Sequence, residues 1–257
     1  MRASVAEALA ALPFVASVEA LTTCGSTNDV ARARAESGAQ PWTVVMADAQ
    51  TAGRGRAGRA WWSPPGEHLY LSVILRPNAA PEWLAPLTLQ VALAMGDAVY
   101  EITRARPTLK WPNDVLVQGR KVGGALTELV LHSGGTSVIV GVGLNVAPIA
   151  PEAPADLHAI GLSSVAVRTV SRTEAAVALL RALHRRVGHF EQSGFDPADW
   201  QAFPSTVGHR VTVQSPGAPP VTGLALNLRS DGALLVLVDG IAEPLAVTVG
   251  DVTLEAS

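Results

Sequence analysis

Residues 51–66, "TAGRGRAGRAWWSPPG", decide between two fold classes. Gly53, Gly55 and Gly58 spell GxGxxG after a predicted strand, which is the fingerprint of dinucleotide-binding folds. That fingerprint must open a helix whose N-terminus meets a pyrophosphate, whereas "WWSPPG" cannot begin a regular helix. The context therefore disfavours a dinucleotide-binding fold and predicts a ligand-binding loop in a different architecture.

The residue types of this loop favour contact with anions. Its glycines let the backbone approach a ligand closely, and Arg54, Arg56 and Arg59 present planar, permanently charged groups that suit carboxylate and phosphate oxygens. Because like charges so close together repel, we expect a mobile loop that an anionic ligand orders. The alternative is a solvated surface loop whose arginines bind nothing.

The apolar pattern along the first 200 residues predicts an α+β protein. Strand patterns occupy residues 42–48, 69–76, 109–117, 122–131 and 137–146. Helical patterns occupy residues 3–12, 26–36, 84–104 and 173–194. Because the helices interrupt runs of strands without strict alternation, we predict a mixed or antiparallel sheet flanked by helices.

The sequence changes character near residue 205. Short β segments follow, such as "RVTVQ" at 210–214 and "GALLVLVDG" at 232–240, and "SDG" at 230–232 is typical of a hairpin turn. We therefore predict a large domain over residues 1–205 and a small C-terminal β-barrel domain over residues 206–257.

Composition and charge disfavour several classes of protein. The formal net charge is −3, so the chain has no overall basic field for a nucleic-acid backbone, and we expect no DNA binding. The single cysteine, Cys24, forms no internal disulfide, and the N-terminus lacks the apolar region of a secretory signal, which predicts a cytoplasmic protein. No apolar run approaches the roughly 20 residues of a membrane helix, so we expect no membrane association.

A polar cluster, "KWPND" at residues 110–114, interrupts an apolar strand pattern. Buried polar groups need partners, so such a cluster is costly unless it has a use. Asp114 suits a magnesium ion and Asn113 suits an adenine edge. The alternative is that both side chains cap a turn, which is the commoner role of such pairs after proline.

Two further motifs could contact a nucleotide. Lys121, in "GRKVGGALTEL", stands beside two glycines and could place its ammonium group on a phosphate, although a hairpin lysine is usually solvated. Asn145, in "GVGLNV", ends an apolar strand and is either a turn residue or a contact to adenine or ribose.

Taken in order, "STN", "QTAGRGRAGRAW", "KWPNDV", "KVGGALTEL" and "GVGLNV" resemble the biotin protein ligases, over about residues 23–146. Each motif alone is weak evidence for this family, but the occurrence of all five in this order is specific. The resemblance implies a class II synthetase-like catalytic domain that uses ATP and Mg²⁺ to convert biotin to biotinyl-5′-adenylate. It further implies transfer of biotin to a lysine of a biotin carboxyl carrier domain, and a homodimer.

The resemblance also assigns roles to individual residues. The residues implied to bind biotin are Ser26, Thr27, Asn28, Gln50, Gly53, Arg54, Gly55, Arg56, Lys121 and Gly124. Those implied to bind ATP or the adenylate are Arg56, Arg59, Trp61, Asn113 and Asn145, with Asp114 as the metal ligand. Arg54 and Lys121 are the implied catalytic residues, because attack of a carboxylate on a phosphate builds negative charge that cations must neutralise.

The chain departs from the family pattern in two places. Only some 20 residues precede "CGSTN", which predicts a ligase without the DNA-binding domain that some members carry. Asn227 and Arg229 stand where the pattern predicts a glycine and an acidic residue. Two other functions remain open at this point: a lipoate-attaching ligase or transferase, and a non-catalytic nucleotide-sensing module.

Overall fold

The computed structural model describes residues 2–77, 84–132 and 135–254. Its helices are α1 (Arg2–Ala10), α2 (Thr27–Glu36), α3 (Leu84–Thr103), α4 (Leu162–Ala166), α5 (Arg172–Ser193) and α6 (Pro197–Gln201). A larger sheet contains β1 (Ser17–Cys24), β2 (Thr43–Gln50), β3 (Leu69–Leu75), β4 (Thr108–Lys110), β5 (Asp114–Val117), β6 (Arg120–His132) and β7 (Gly135–Leu144). A smaller sheet contains β8 (Arg210–Gln214), β9 (Val221–Leu228), β10 (Leu234–Val238), β11 (Leu245–Val247) and β12 (Asp251–Leu254).

The larger sheet has the strand order β1-β2-β3-β7-β6-β5-β4. β1 pairs with β2 in parallel, and the other described neighbours pair antiparallel. Its centre is the β6–β7 hairpin, whose register runs from Gly123 opposite Leu144 to His132 opposite Gly135. This mixed sheet confirms the predicted α+β class.

Side-chain alternation along the strands places helices on both faces of this sheet. On β2, Val45 packs beneath Ala31 and Ala35 of α2, whereas its neighbour Val44 belongs to the core on the opposite face. Helices α1, α3 and α5 cover that opposite face. Because α2 is short, part of the face beneath its N-terminus is left open, and the site described below lies there.

The C-terminal β segments form an antiparallel sheet in the order β11-β10-β9-β8-β12. No pairing among the described strands joins β11 to β12. The small sheet contacts the larger one through Trp111, whose indole Nε1 donates to the Gly232 carbonyl at 3.1 Å. Its inward residues, such as Val211 and Ala225, belong to the same apolar core as the larger sheet. The domain boundary near residue 205 stays a prediction.

The single strand predicted over residues 109–117 is wrong. The segment forms two short strands, β4 and β5, that pair as a hairpin with Lys110 opposite Asp114. The turn contains Pro112, preceded by a cis peptide bond, and proline has no N–H to donate to a sheet. The hairpin brings Lys110 and Asp114 side by side. They lie near residues 53–59, which contain Arg54, Arg56 and Arg59 and are called the Arg/Gly loop below.

Three described elements have no counterpart in the sequence prediction. Strand β1 is half-exposed and mixes polar and apolar residues, so it shows no clear period. Helices α4 and α6 have five residues each, too few to display a helical repeat. No helix among the described residues is long and apolar enough to cross a membrane.

Candidate functional site

A cavity opens on the α2 face of the larger sheet, between the Arg/Gly loop and the segment 157–159. Its floor is rich in glycine, with Gly124 on β6 and Gly141 and Gly143 on β7. The predicted site residues that line it are Ser26, Thr27, Asn28, Gln50, Arg54, Gly55, Arg56, Arg59, Trp61, Asn113, Lys121, Gly124 and Asn145. Residues far apart in sequence thus meet around one cavity, as the resemblance implies.

One end of the cavity is built from uncharged polar groups. The Gln50 Oε1 accepts from the Thr27 backbone N–H at 2.8 Å and lies 3.2 Å from the Thr27 hydroxyl, and its Nε2 donates to Ser63 Oγ at 3.1 Å. Gln50, rather than the side chain of the N-cap residue Ser26, therefore satisfies the first N–H of α2. Gly53 does not line the cavity; a Cβ there would lie 2.9 Å from Gln50 Nε2.

The amide of Asn28 is fixed on both sides. Its Oδ1 accepts from the buried Ser72 hydroxyl at 2.7 Å, and its Nδ2 donates to the Glu128 carboxylate at 2.6 Å and to the Leu126 carbonyl at 3.3 Å. Gly141 leaves the space that this amide fills, because a Cβ there would lie 2.1 Å from Asn28 Oδ1. Both amide hydrogens are engaged, so only Oδ1 of Asn28 is left to meet a ligand.

Arg54 points toward α2 and β6. Its guanidinium lies 2.6 Å from Asp29 and 3.6 Å from Glu128. The hydrogen bond from Arg54 lowers the pKa of Asp29, so this pair is ionised throughout the neutral range. Arg54 lines the cavity, but its charge is already balanced by two protein carboxylates.

Arg56 and Arg59 connect the loop to the C-terminal sheet. Arg59 lies 2.8 Å from Asp251 on β12, and Arg56 donates to the Gly250 carbonyl at 3.2 Å. Each loop arginine therefore has an oxygen partner within the protein. The repulsion that we expected to leave the loop without order is offset by carboxylates from α2, β6 and β12.

Lys121 occupies the centre of the charged end. Its ammonium lies 2.8 Å from the Asp114 carboxylate and 5.1 Å from the centroid of the Trp61 ring. The Trp61 ring rests on Gly143, where a Cβ would come within 2.3 Å of it. Lys110 lies close to the same charges, and burial lowers its pKa.

The two predicted asparagine contacts are tied to the main chain. Asn113 Nδ2 donates to the Ala125 carbonyl at 2.7 Å, and Asn145 Nδ2 donates to the Lys121 carbonyl at 3.1 Å. Both residues line the cavity. Their amide nitrogens hold β6 and Lys121 in place, which leaves their amide oxygens for a ligand.

The described residues do not provide a protein-built magnesium site. Among them no group of three or more His, Cys, Asp or Glu side chains converges. Asp114 does not line the cavity, and its Oδ1 faces the Lys121 ammonium rather than a second carboxylate. Mg²⁺ prefers oxygen ligands in a near-octahedral arrangement and often binds through few carboxylates together with substrate phosphates. Asp114 alone fits such a site poorly.

Comparison with known proteins identifies the family. Residues 22–145 match the Biotin/lipoate A/B protein ligase family. The chain is 38% identical over 237 residues to the biotin--[acetyl-CoA-carboxylase] ligase of Mycobacterium tuberculosis, covering 89% of this chain and 85% of that protein. This chain belongs to the biotin protein ligase family. The predicted family and enzyme class, a ligase, are confirmed.

Solved biotin protein ligase structures support the same assignment. The structure of the Aquifex aeolicus ligase in complex with biotin and ATP superposes with a TM-score of 0.80 at 30% identity, over 93% of this chain and 99% of that one. The bifunctional ligase/repressor BirA of Bacillus subtilis is 32% identical, and the match spans 82% of this chain and 66% of that protein.

Sequence reasoning missed several residues of the ligase site. Ser72 is a lone polar residue inside the buried strand "LYLSVILR", and that signal could have marked it. Glu128 lies within the quoted motif "KVGGALTEL", at a strand position that shares a face with Gly124. Leu157 and Ala159 also line the cavity, but they lie in an irregular segment that carries no sequence signal.

Proposed function

We propose that this ligase condenses biotin with ATP to biotinyl-5′-adenylate and pyrophosphate, and then transfers biotin to a lysine of a carboxylase carrier domain. The observation that supports it best is a single cavity with an uncharged polar end and a cationic end. Biotin has the same division, because it carries a neutral ureido ring and a carboxylate.

The uncharged end favours biotin over lipoate. Ser26, Thr27 and Gln50 offer hydroxyl and amide groups that match the donors and acceptors of a ureido ring. A dithiolane ring has no N–H or carbonyl to exchange with these groups, so it would displace water from them without replacing the hydrogen bonds of that water. A lipoate-attaching enzyme is therefore the weaker candidate.

The charged end suits the phosphates of ATP. Arg56, Lys110 and Lys121 lie near one another, and burial lowers the pKa of both Arg56 and Lys110. Desolvated cations gain most from an anionic ligand, since it restores the charge balance that burial removed. On this geometry we infer that Arg56 and Lys121 contact the reacting phosphate, whereas Arg54 anchors the loop.

In the first step a biotin carboxylate oxygen attacks the α-phosphorus, and the bond from that phosphorus to the β-bridging oxygen breaks. Lys121 and Arg56 balance the charge that builds on the phosphate oxygens. In the second step the carrier amine attacks the biotinyl carbonyl, adenylate leaves, and the amine loses a proton. Neither step requires a covalent enzyme intermediate, so Cys24 has no catalytic role.

Several finer assignments remain predictions. The requirement for Mg²⁺ stays a prediction, and so does Asp114 as its ligand, since the Oδ1 of Asp114 faces the Lys121 ammonium. The homodimer, the cytoplasmic location, the absence of DNA and membrane binding, and the roles of individual site residues also stay predictions. Gel filtration with light scattering would test the homodimer directly.

The decisive experiment is a biotinylation assay with defined components. We expect label on a purified carrier domain only when labelled biotin, ATP and Mg²⁺ are all present, with one pyrophosphate released per adenylate formed. A carrier whose acceptor lysine is replaced by arginine is the matched control. Pyrophosphate release with lipoate but not with biotin would reassign the substrate, and no release with either would contradict a ligase.

A further inference from the structure

The sequence motifs assign no role to Glu128 on β6. In the structure its carboxylate contacts both Asn28, at the uncharged end of the cavity, and Arg54 of the Arg/Gly loop. One carboxylate oxygen accepts from Asn28 Nδ2 at 2.6 Å and lies 3.6 Å from Arg54, and the other accepts from Arg32 at 3.1 Å. The side chain is 23% exposed, so water screens these contacts only in part. One anion thus holds a helix residue and a loop residue together.

On the helix side, this carboxylate sets the orientation of the Asn28 amide. Ser72 donates to Asn28 Oδ1, so the amide nitrogen must point to Glu128. Asn28 occupies the first turn of α2, next to Thr27, which Gln50 binds. Loss of the Glu128 carboxylate would free the amide to rotate and would disturb the uncharged end of the cavity.

On the loop side, the same carboxylate holds the guanidinium of Arg54. Asp29 supplies the second anion at 2.6 Å, and Arg54 and Gly55 then line the cavity. Backbone hydrogen bonds within the loop, such as Gly55 N–H to the Arg59 carbonyl at 2.7 Å, shape it internally. The Arg54 side chain adds the contacts that join the loop to α2 and β6.

We propose that Glu128 is a positioning residue that couples recognition of the uncharged end of biotin to the docking of the Arg/Gly loop. The inference rests on the proposed function and assigns the coupling to one carboxylate. When Asn28 is held in place by a bound ring, Glu128 is held as well, and it presents a fixed anion to Arg54. A docked loop then slows escape of the adenylate.

Two substitutions separate the parts of this role. Glu128→Gln keeps an oxygen for Asn28 but removes the charge that attracts Arg54, so we expect unchanged biotin affinity and about a fivefold faster release of the adenylate. Glu128→Ala removes both contacts, so biotin affinity should also fall by about tenfold. Release is measured by chasing labelled adenylate from the enzyme with unlabelled biotin and ATP.

A double-mutant cycle tests whether Glu128 acts through Arg54. We expect Arg54→Ala to speed release as Glu128→Gln does, and the double variant to be no faster than Arg54→Ala alone. Glu19→Gln is the matched control, because Glu19 also pairs with an arginine of α2, at 2.7 Å, but that arginine is Arg34, on the side of α2 away from the Asn28 and Arg54 contacts of Glu128. If the two substitutions speed adenylate release additively, or if Glu128→Gln releases the adenylate at the wild-type rate, the coupling is overturned.

These outcomes remain distinct from failure of the proposed function. If the wild-type protein forms no adenylate, the proposed function fails before any variant is made. If the wild type is active and Glu128→Gln behaves like Glu19→Gln, only the coupling fails. Circular dichroism melts of each variant identify any loss that comes from unfolding.

Discussion

The two ends of the cavity are held in place by different forces. At the uncharged end, Thr27, Gln50 and Ser72 stand on regular elements and bind one another through neutral hydrogen bonds. At the charged end, Arg59 stands on a loop and Lys121 at the start of β6, and both pair with carboxylates that water reaches in part. The first arrangement is rigid and the second can exchange partners.

This difference matches what each end has to do. A ureido ring stays the same throughout both steps, so a fixed set of donors and acceptors suits it. The phosphate end receives a triphosphate, releases pyrophosphate and later releases adenylate, so its cations must change partners. Asp114 holds Lys121 in the absence of a phosphate, and a phosphate has to compete with it, whereas Asp251 ties Arg59, and with it the loop, to β12.

The largest effect is expected at the charged end, from Lys121→Gln. Loss of one preorganised cation beside a reacting phosphate typically slows the chemical step by about a hundredfold or more. Pyrophosphate release should fall by this factor, whereas affinity for biotinamide, which has no carboxylate, should stay unchanged. Arg120→Gln, which changes the adjacent exposed cation, is the control, and equal rates for the two variants would remove Lys121 from the reaction.

Glycine substitutions test the rigidity of the uncharged end. Gly141→Ala places a Cβ 2.1 Å from Asn28 Oδ1, and Asn28 cannot move because three groups hold it, so we expect a loss of about 3 kcal/mol in biotin binding. Gly143→Ala places a Cβ 2.3 Å from the Trp61 ring, whose indole Nε1 has no hydrogen-bond partner among the described residues, so we expect this ring to move more easily than Asn28. Calorimetry should show the smaller loss for Gly143→Ala, and the reverse order would contradict this difference in rigidity.

The fold was largely predictable from the sequence because most of its strands and helices are long and periodic. The predicted helix over 84–104 and strand over 69–76 match α3 and β3 within one residue. The break at Pro112 was missed, because the apolar run on both sides resembles one continuous strand. The C-terminal segment "PLAVTVGDVTL" likewise divides into β11 and β12.

The site was predictable as a set of residues but not as a set of contacts. The motif residues Thr27, Gln50 and Lys121 line one cavity in the structure. They could not show that Arg54 binds Asp29 and Glu128, because these partners lie 25 and more positions away along the chain. Pairing between distant charges depends on strand register and helix placement, and a single sequence does not contain either.

The stability of the structure beneath the charged end should depend on pH. His68 is fully buried, its Nδ1 accepts from the Val146 N–H, and burial lowers its pKa to about 4 from an ordinary 6.5. The unfolded chain therefore binds the proton first as the pH falls, and stability is lost between pH 6.5 and 4. By pH 5 the free energy of unfolding should fall by about 2 kcal/mol relative to pH 7 from this residue.

Urea denaturation of the wild type and of His68→Gln between pH 7 and pH 5 checks this value. The variant lacks the buried imidazole, so its stability should fall less steeply over that range. Parallel curves for the two proteins would show that another group causes the loss.

Salt should give the smallest effect and should separate the two ends directly. The Arg59–Asp251 pair is partly exposed, and the screening length falls from about 10 Å at 0.1 M salt to about 3 Å at 1 M. Exposed pairs contribute about 0–1 kcal/mol, so adenylate release should speed up by about two- to fivefold over this range. Biotinamide affinity should not change, since neutral hydrogen bonds hold its end of the cavity.

Asp251→Asn should release adenylate faster at low salt and lose most of the salt dependence. If biotinamide affinity falls with salt as steeply as adenylate retention does, the uncharged end depends on the ion pairs after all, and the two ends are not held independently.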